Sequence, residues 1–254
     1  MTGDREKDLL DAANMLMDAR RTGVRLTDLP ENLRPLNMEE MDFIQDAMAV
    51  AYGDIGGYKI GAATPDATPS FSPMPAVWIS TSGSTLSSNH WYRIVEAEIA
   101  FLVGKDLPPR DTPYTRDEVL DAMESCHPAI EVLETAFVDP AAASPNSVLA
   151  DLQRNGGFFY GPAFAAWRTT DFTQERITLA VDGSIRVERT GSNTSGDFFR
   201  LLVWLANEGA TRTGGLHRGQ WITTGSWTGN TPAASGSSVD AEFSTAGRVN
   251  VRFA

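Results

Sequence analysis

The sequence has a single cysteine, Cys126, which excludes an internal disulfide. A catalytic thiolate would need a neighbouring base. His127 follows directly in the chain, but adjacent side chains on a strand or helix point away from one another. We therefore do not expect the activity of this protein to depend on cysteine chemistry.

Long apolar runs and an excess of basic charge are also missing. No apolar segment reaches the ~18 residues that a membrane-spanning helix needs, and the N-terminal stretch MTGDREKDLLDAANMLMDARR lacks the apolar block of a signal peptide. The formal net charge is -12, whereas nucleic acids and anionic membranes bind basic faces. We expect a cytoplasmic protein that binds neither nucleic acid nor membrane.

The motifs of nucleotide-binding folds are absent as well, because no G-x-G-x-x-G and no P-loop joins a strand to a helix. Short strand patterns prevail instead. RITLAVDGSIRVER alternates apolar and polar residues on both sides of an Asp-Gly turn, which predicts a β-hairpin. Strands outnumber helices and join through short turns. This pattern predicts an α+β fold with a mixed, mostly antiparallel β core and peripheral helices.

Helical patterns dominate the N-terminal part. Residues 4–22 form an amphipathic stretch, and a second helix is predicted after Asn37, a candidate N-cap with Glu40 in the capping-box position. We predict a helical N-terminal cap over residues 1–56 and a β-rich catalytic domain over residues 57–254. Residues 64–90 are rich in proline, serine and threonine, which favours either a lid over a site or a variable surface loop.

Two acids interrupt the apolar strand WYRIVEAEIAFLVGKDLP. Glu96 and Glu98 are two residues apart, so in a strand both project from one face, ~6.6 Å apart. The intervening apolar residues project from the other face, towards a core. Two neighbouring carboxylates repel and are costly to desolvate, and the usual remedies are a shared proton, a basic partner or a metal ion.

A third acid, Glu131, lies between Ile130 and Val132 in the apolar segment PAIEVLETAF. Three carboxylates converging from two strands would form an oxygen-rich site that suits Mg²⁺ or Mn²⁺. Zinc is disfavoured, because no histidine or cysteine cluster accompanies these acids. The alternative is that all three acids face solvent on the outer side of a sheet.

Lysine is scarce, and the position of one lysine is unusual. The chain carries Lys7, Lys59 and Lys105 only. Lys59 lies in GGYKIGAAT, an apolar segment flanked by glycines. An amine can release a proton, which a guanidinium cannot do at neutral pH. Lys59 is therefore a candidate catalytic residue, and the alternative is a surface lysine with a half-buried stem.

Six segments occur in an order and spacing that resemble the 2-keto-4-pentenoate hydratase / 4-oxalocrotonate decarboxylase family of the fumarylacetoacetate hydrolase-like superfamily: GYKIGAAT, VEAEIAFLVGKDLP, PAIEVLETAF, NGGFFYGP, LLVWLANEG and GQWITTGS. The resemblance runs from about residue 40 to the C-terminus. It implies a β-roll or sandwich core, a small 2-keto or 2-hydroxydienoic acid substrate, and a homo-oligomer. An association with a partner enzyme of the same pathway is a further expectation.

The resemblance also implies roles for individual residues. A divalent ion, Mg²⁺ or Mn²⁺, would be held by the paired acids and the acid of the next strand, the lysine would assist proton transfer, and the TTGS turn would line the substrate pocket. These positions are Glu96, Glu98 and Glu131 for the metal, Lys59 for the proton, and Thr224, Gly225 and Ser226 for the substrate.

The chain also departs from the family pattern. Val77 stands where family members carry an acid, Asp151-Leu152 replaces an aspartate-asparagine pair, and a G-H-P element is replaced from Gly196 onward. The metal ligands and the lysine remain, whereas part of the proton-handling set does not. Asp151 is the remaining acid near the site, and it is either a second catalytic residue or a cap at a helix end.

Three functions follow as hypotheses. The first is a metal-dependent hydro-lyase or decarboxylase that acts on a small 2-keto acid through a metal-stabilised enolate. The second is a hydrolase that cleaves a carbon-carbon bond in an acylpyruvate, although no histidine-glutamate pair that could activate water is found in the N-terminal region. The third is a repurposed protein that binds a keto acid or supports a partner enzyme.

Overall fold

The computed structural model describes residues 3–87 and 89–254. Its α-helices are α1 (Gly3–Thr22), α2 (Met38–Tyr52), α3 (Arg116–Ala122), α4 (Pro145–Ala150) and α5 (Phe199–Asn207). Both N-terminal helices were predicted from the sequence. Asn37 caps α2 as expected, because its side chain accepts a 3.0 Å hydrogen bond from the backbone N–H of Glu40. Among the described residues, no helix is long and apolar enough to span a membrane.

The strands of the described residues are β1 (Ile55–Gly61), β2 (Ser70–Pro75), β3 (Ile79–Thr81), β4 (Thr85–Leu86), β5 (Ile94–Val103), β6 (Met123–Leu133), β7 (Asn155–Tyr160), β8 (Arg176–Val181), β9 (Ser184–Thr190), β10 (Trp221–Thr223), β11 (Thr231–Pro232), β12 (Ser238–Phe243) and β13 (Gly247–Phe253). They form two sheets. The larger has the order β2-β1-β10-β5-β6-β7-β3, with β11 also on β5, and the smaller has the order β4-β13-β12-β8-β9. Most neighbours are antiparallel, which confirms the predicted α+β class with a mixed, mostly antiparallel core.

The main hydrophobic core lies between the two sheets. Along β5, one face contributes alternating apolar side chains from Val95 to Val103, and these pack with buried residues of β8, β12 and β13. The opposite face of β5 carries the paired glutamates, so one strand separates the core from the candidate site. Cys126 is buried in the same core. Burial raises the pKa of its thiol, which disfavours the reactive thiolate.

The N-terminal helices pack around a second apolar cluster. Leu9 and Leu16 of α1 and Ile44 of α2 meet Phe137 and Leu152, which belong to the connection between β6 and β7. The cap therefore shares its interior with the segment that links two strands of the large sheet. The boundary between residues 1–56 and 57–254 stays a prediction, and β1 begins just before it.

Local patterns were misleading in two places. In the sequence, the capping pair Thr115 and Glu118 begins a pattern typical of a helix that would end at Pro128. In the structure, α3 ends at Ala122 and β6 passes through Pro128. Pairing with β5 along the whole length of β6 overrides the local preference. Residues 64–90, expected to be irregular, contain β2, β3 and β4, apart from residue 88, which lies outside the described part. The prolines of β2 are tolerated because β2 is an edge strand.

Gly57 is required where β1 and β10 run side by side. A Cβ at this position would lie 2.1 Å from the backbone oxygen of Trp221, so any side chain would push the parallel strands apart. Gly57→Ala is expected to lower the free energy of unfolding by about 1–3 kcal/mol, the usual cost of overpacking. Chemical denaturation measures this change.

Gly61→Ala is the matched control for this prediction, because a Cβ on Gly61, in the same strand, would meet its nearest atom at 4.0 Å. Equal stability of the Gly57 and Gly61 variants would contradict the close approach of β1 and β10.

Candidate metal and substrate site

Three glutamates converge on the outer face of the large sheet. Glu96 and Glu131 are direct partners in the antiparallel pairing of β5 and β6, and Glu98 lies two residues further along the same face. The three carboxylates each offer an oxygen within 4.8 Å of the others. Glu98 is 2% exposed and Glu131 1% exposed, and Glu96 is partly buried. The alternative of acids facing bulk solvent is therefore not supported.

This arrangement disfavours the ionised carboxylates. Burial, followed by the negative charge of Glu131, raises the pKa of Glu96. Burial, followed by the charges of Glu131 and Glu96, raises the pKa of Glu98 well above its ordinary value, although a hydrogen bond from Thr223 opposes the rise. Glu96 and Glu98 therefore keep their protons to higher pH than usual unless a cation compensates the charge.

Lys59 lies beside the three acids. Its Nζ is 2.7 Å from Oε1 of Glu131 and donates a hydrogen bond of 3.1 Å to the backbone oxygen of Gln153. The position follows from the parallel pairing of β1 with β10, which sets Lys59 opposite Thr223. Only 15% of the lysine side chain is exposed. The alternative of an ordinary surface lysine is thus not supported.

Three groups whose role sequence reasoning missed hold the acids in place. The hydroxyl of Thr223 and the backbone N–H of Gly225 donate hydrogen bonds to Oε2 of Glu98, the latter at 2.9 Å. The side-chain amide of Asn155 donates to Oε1 of Glu131 at 2.8 Å. For Thr223, the alternation of side chains along its strand was the only feature of the sequence that could have placed it near the acids. For Asn155, that feature was its place at the start of the NGGFFYGP strand.

Of the three residues predicted to bind the substrate, two line a cavity beside the acids and one does not. Gly225 and Ser226 line a small cavity together with the three glutamates and Lys59. Thr224 does not line it, because its buried side chain points to the opposite side and donates a hydrogen bond of 2.7 Å to the backbone oxygen of Ile99. The contribution of Thr224 is therefore to anchor the turn on β5.

Asp151 is not brought into this cavity. It is fully buried, and one of its carboxylate oxygens accepts a hydrogen bond of 2.6 Å from Nε of Arg20. The other oxygen accepts hydrogen bonds from the hydroxyl of Thr135 at 2.9 Å and from the backbone N–H of Ala136 at 2.7 Å. With its oxygens engaged in this way, the position of Asp151 gives no support to a catalytic role.

Two cavities lie beside the acids and share two lining residues. The inner cavity, of about 110 Å³, contains the carboxylates. An outer cavity of about 440 Å³ shares Lys59 and Gln153 with it and is bounded by Arg154 and by largely apolar residues: Pro140, Ala141, Ala143, Pro145, Val148 and Leu149.

The donor set fits a hard divalent cation. All three acids offer carboxylate oxygens, which Mg²⁺ and Mn²⁺ prefer. Oδ1 of Asn155 is buried without a hydrogen-bond partner among the described residues. This unpaired acceptor belongs to the side chain that holds Glu131, and it suits a cation that keeps water ligands. These observations favour Mg²⁺ or Mn²⁺ over zinc, as the sequence predicted.

The raised pKa of Glu98 has a consequence for stability. Because the folded carboxyl keeps its proton to higher pH than the unfolded one, the resulting stabilisation is complete below the ordinary value of 4.5 and is lost as pH rises through the folded pKa. In metal-free protein, the stability of Glu98→Gln relative to wild type should therefore increase as the pH rises above 4.5.

Thermal unfolding in a chelating buffer, measured for both proteins at each pH, tests this expectation. Comparison with the glutamine variant removes the contribution of titrating groups outside the three-glutamate cluster. Parallel curves for the two proteins would show that Glu98 ionises normally in the fold.

The fold and the site define a β-rich protein with a small cavity lined by carboxylates. Residues 64–254 match the family described as fumarylacetoacetate (FAA) hydrolase C-terminal. The match covers most of the chain, and the chain belongs to this family.

Two curated relatives agree with the resemblance found in the sequence. A 4-oxalocrotonate decarboxylase of a Pseudomonas species is 28% identical over 176 residues, which cover 68% of this chain. The matched stretch spans 66% of that relative, just under two thirds of its length. The TodF product hydratase of Pseudomonas putida is 24% identical over 255 residues, which cover 96% of this chain and 94% of the relative.

Solved structures support the fold over the whole chain. The 4-oxalocrotonate decarboxylase from Pseudomonas putida G7, complexed with magnesium and adipate, has a TM-score of 0.85 at 20% identity, covering 100% of this chain and 99% of the other. The same enzyme complexed with calcium and acetate has a TM-score of 0.84 at 21% identity with the same coverage. At this identity, the likeness establishes the fold alone.

Proposed function

We propose that the protein is a divalent-metal-dependent lyase, a decarboxylase or hydratase, that acts on a small 2-keto or 2-hydroxydienoic acid. The observation that carries the proposal is the group of three acids with oxygens within 4.8 Å of one another, beside a largely buried lysine at 2.7 Å. The names of the two curated relatives support the lyase class.

Glu96, Glu98 and Glu131 would hold Mg²⁺ or Mn²⁺. When bound, such an ion supplies positive charge that stabilises the negative charge developing on a 2-keto acid as a neighbouring carbon loses carbon dioxide or a proton. The magnesium in the solved 4-oxalocrotonate decarboxylase supports this choice of ion. Thr223 and Asn155 would keep two of the carboxylates oriented through their hydrogen bonds.

The remaining residues of the inner cavity would bind the substrate and move its proton. Lys59 reaches the cavity, and the carbonyl of Gln153 accepts one of its hydrogens, which orients Nζ. Lys59 would deliver or remove a proton at the carbon beside the keto group. Gly225 and Ser226 line the same cavity and would orient the substrate.

Of the two lyase reactions, we place decarboxylation first. Among the described residues, the acids lining the inner cavity are the three glutamates themselves. Decarboxylation needs charge stabilisation and a proton donor, whereas hydration also needs a group that activates water. The same consideration disfavours the acylpyruvate hydrolase alternative. Val77 stands at the position of the acid found in family members. It is exposed and has no ionisable group that could activate water.

The proposal is tested by supplying Mg²⁺ or Mn²⁺ and three substrates: 4-oxalocrotonate, a 2-hydroxydienoate and an acylpyruvate. Release of carbon dioxide from the first supports a decarboxylase, and loss of dienoate absorbance supports a hydratase. Cleavage of the acylpyruvate alone would favour the hydrolase. If metal binds but none of these reacts, and no 2-keto acid exchanges protons in deuterated water, the repurposed keto-acid-binding alternative replaces the lyase.

Cytoplasmic location, homo-oligomeric assembly and association with a partner enzyme of the same pathway belong to this proposal as expectations from the sequence and the resemblance. Size-exclusion chromatography with light scattering measures the oligomeric state directly.

A further inference from the structure

A strained turn forms one wall of the site. Leu152, Gln153 and Arg154 have φ values of 47°, 47° and 65°, a left-handed conformation that residues other than glycine adopt at a cost. The turn presents the backbone oxygen of Gln153 to Nζ of Lys59 at 3.1 Å. Asn155, which follows directly, donates to Glu131 at 2.8 Å. Three consecutive left-handed residues persist only where the surroundings impose them.

Arg20, in the last turn of α1, holds both ends of this turn. Nε donates to the carboxylate of Asp151 at 2.6 Å, and one terminal nitrogen donates to the backbone oxygen of Asp151 at 3.0 Å. The other terminal nitrogen donates to the backbone oxygen of Asn155 at 2.6 Å. A further hydrogen bond of 3.0 Å reaches the backbone oxygen of Glu134 at the exit of β6. Arg20 is only 8% exposed.

We propose that Arg20 is a positioning residue that sets the location of Lys59 and of Glu131 through the turn of residues 151–155. This proposal rests on the metal site proposed above. Arg20 touches neither the acids nor the inner cavity. Its planar fork reaches residues on both sides of the turn at once, which a lysine ammonium cannot reproduce. The N-terminal helix thereby takes part in the geometry of the site.

Arg5, near the start of the same helix, provides a matched control. Its guanidinium donates to both carboxylate oxygens of Glu40, at 2.9 and 2.6 Å, and to the backbone oxygens of Asn32 and Arg34 at 2.6 Å. The fork and the number of hydrogen bonds thus resemble those of Arg20. None of these acceptors belongs to the turn. Arg5 variants therefore measure how much stability the N-terminal helical cap loses when an arginine is replaced and the turn is left intact.

The experiment compares Arg20→Met and Arg20→Lys with Arg5→Met and Arg5→Lys, each confirmed as folded by circular dichroism. The first measurement is the dissociation constant of Mn²⁺, from the electron paramagnetic resonance signal of free Mn²⁺. The second is the rate of acetylation of Lys59 in metal-free protein, by mass spectrometry, with exposed Lys105 as the internal reference. Having only three lysines makes this assignment unambiguous.

We expect both Arg20 variants to bind Mn²⁺ about 10-fold more weakly, in the range typical of residues that orient metal ligands, and Lys59 to be acetylated several-fold faster relative to Lys105. The Arg5 variants should match wild type in both measurements, whatever they lose in thermal stability. The rate at Lys59 responds to the turn and not to the stability of the cap as a whole.

Folded Arg20→Met with wild-type Mn²⁺ affinity and wild-type Lys59 reactivity would overturn the proposal. If Arg20→Met does not fold, Arg20→Lys decides by the same two measurements. Failure of both Arg20 variants to fold while the Arg5 variants fold would assign Arg20 to folding and also overturn it. A wild-type protein inactive on 2-keto acids would overturn the lyase proposal and leave these measurements unaffected.

Discussion

Replacement of Glu98 by glutamine is expected to weaken Mn²⁺ binding more than about 100-fold, because removing partners that only orient metal ligands already costs about 10–100-fold. Glutamine keeps the shape of the side chain, and its amide oxygen can still accept hydrogen bonds from Thr223 and Gly225. The charge is lost while the packing stays. Isothermal titration calorimetry with Mn²⁺ measures the change, and turnover should disappear with it.

The same variant should not be less stable than wild type without metal, since burial already penalises the ionised Glu98 carboxylate. Glu124→Gln is the control, because Glu124 is an exposed acid on β6, the strand of Glu131, and lies outside the cluster. Wild-type Mn²⁺ affinity in Glu98→Gln, or an equal loss in Glu124→Gln, would rule out the three-glutamate site.

Replacement of Lys59 by methionine is expected to separate turnover from metal binding. Turnover should fall about 10²–10⁴-fold, the usual contribution of a group that transfers a proton. Mn²⁺ affinity should be unchanged or higher, because the ammonium lies 2.7 Å from Glu131 and repels a second cation held by that carboxylate. Steady-state kinetics at saturating Mn²⁺ and direct Mn²⁺ titration measure the two quantities.

Lys59→Arg tests whether the proton or the charge matters. Arginine keeps the positive charge but does not release a proton at neutral pH, so its turnover should be as low as that of the methionine variant. An active arginine variant would show that Lys59 contributes its positive charge and not a transferable proton. If Lys59→Met lost Mn²⁺ affinity in proportion to turnover, the lysine would instead be part of the support of the metal site.

The convergence of the three acids could be predicted because its signals are local. Glu96 and Glu98 are placed on one face by the two-residue period of a strand, and Glu131 is marked by its apolar neighbours. Helix caps and the Asp182-Gly183 hairpin turn were predictable for the same reason, since each depends on a few adjacent residues. The family resemblance then supplied the order of the segments and the role of the lysine.

The rest depends on contacts between distant parts of the chain. The neighbours of Lys59 follow from the parallel pairing of β1 with β10, which no local pattern predicts. The left-handed turn at Leu152–Arg154 contains no glycine that would have marked it. Asp151 was interpreted as a catalytic acid or a helix cap, because its actual partner, Arg20, precedes it by 131 residues.

That separation also bears on how the protein is made. Contacts between distant residues form late, since closing a long loop costs chain entropy. On the ribosome, α1 is synthesised before its partners, and the set of acceptors of Arg20 is complete only after Asn155 has been added. Until then the apolar stripes of the first two helices lack the β6–β7 connection that covers them. The nascent chain should thus be most dependent on chaperones before its middle is translated, and the wall beside Lys59 should be among the last parts to assemble.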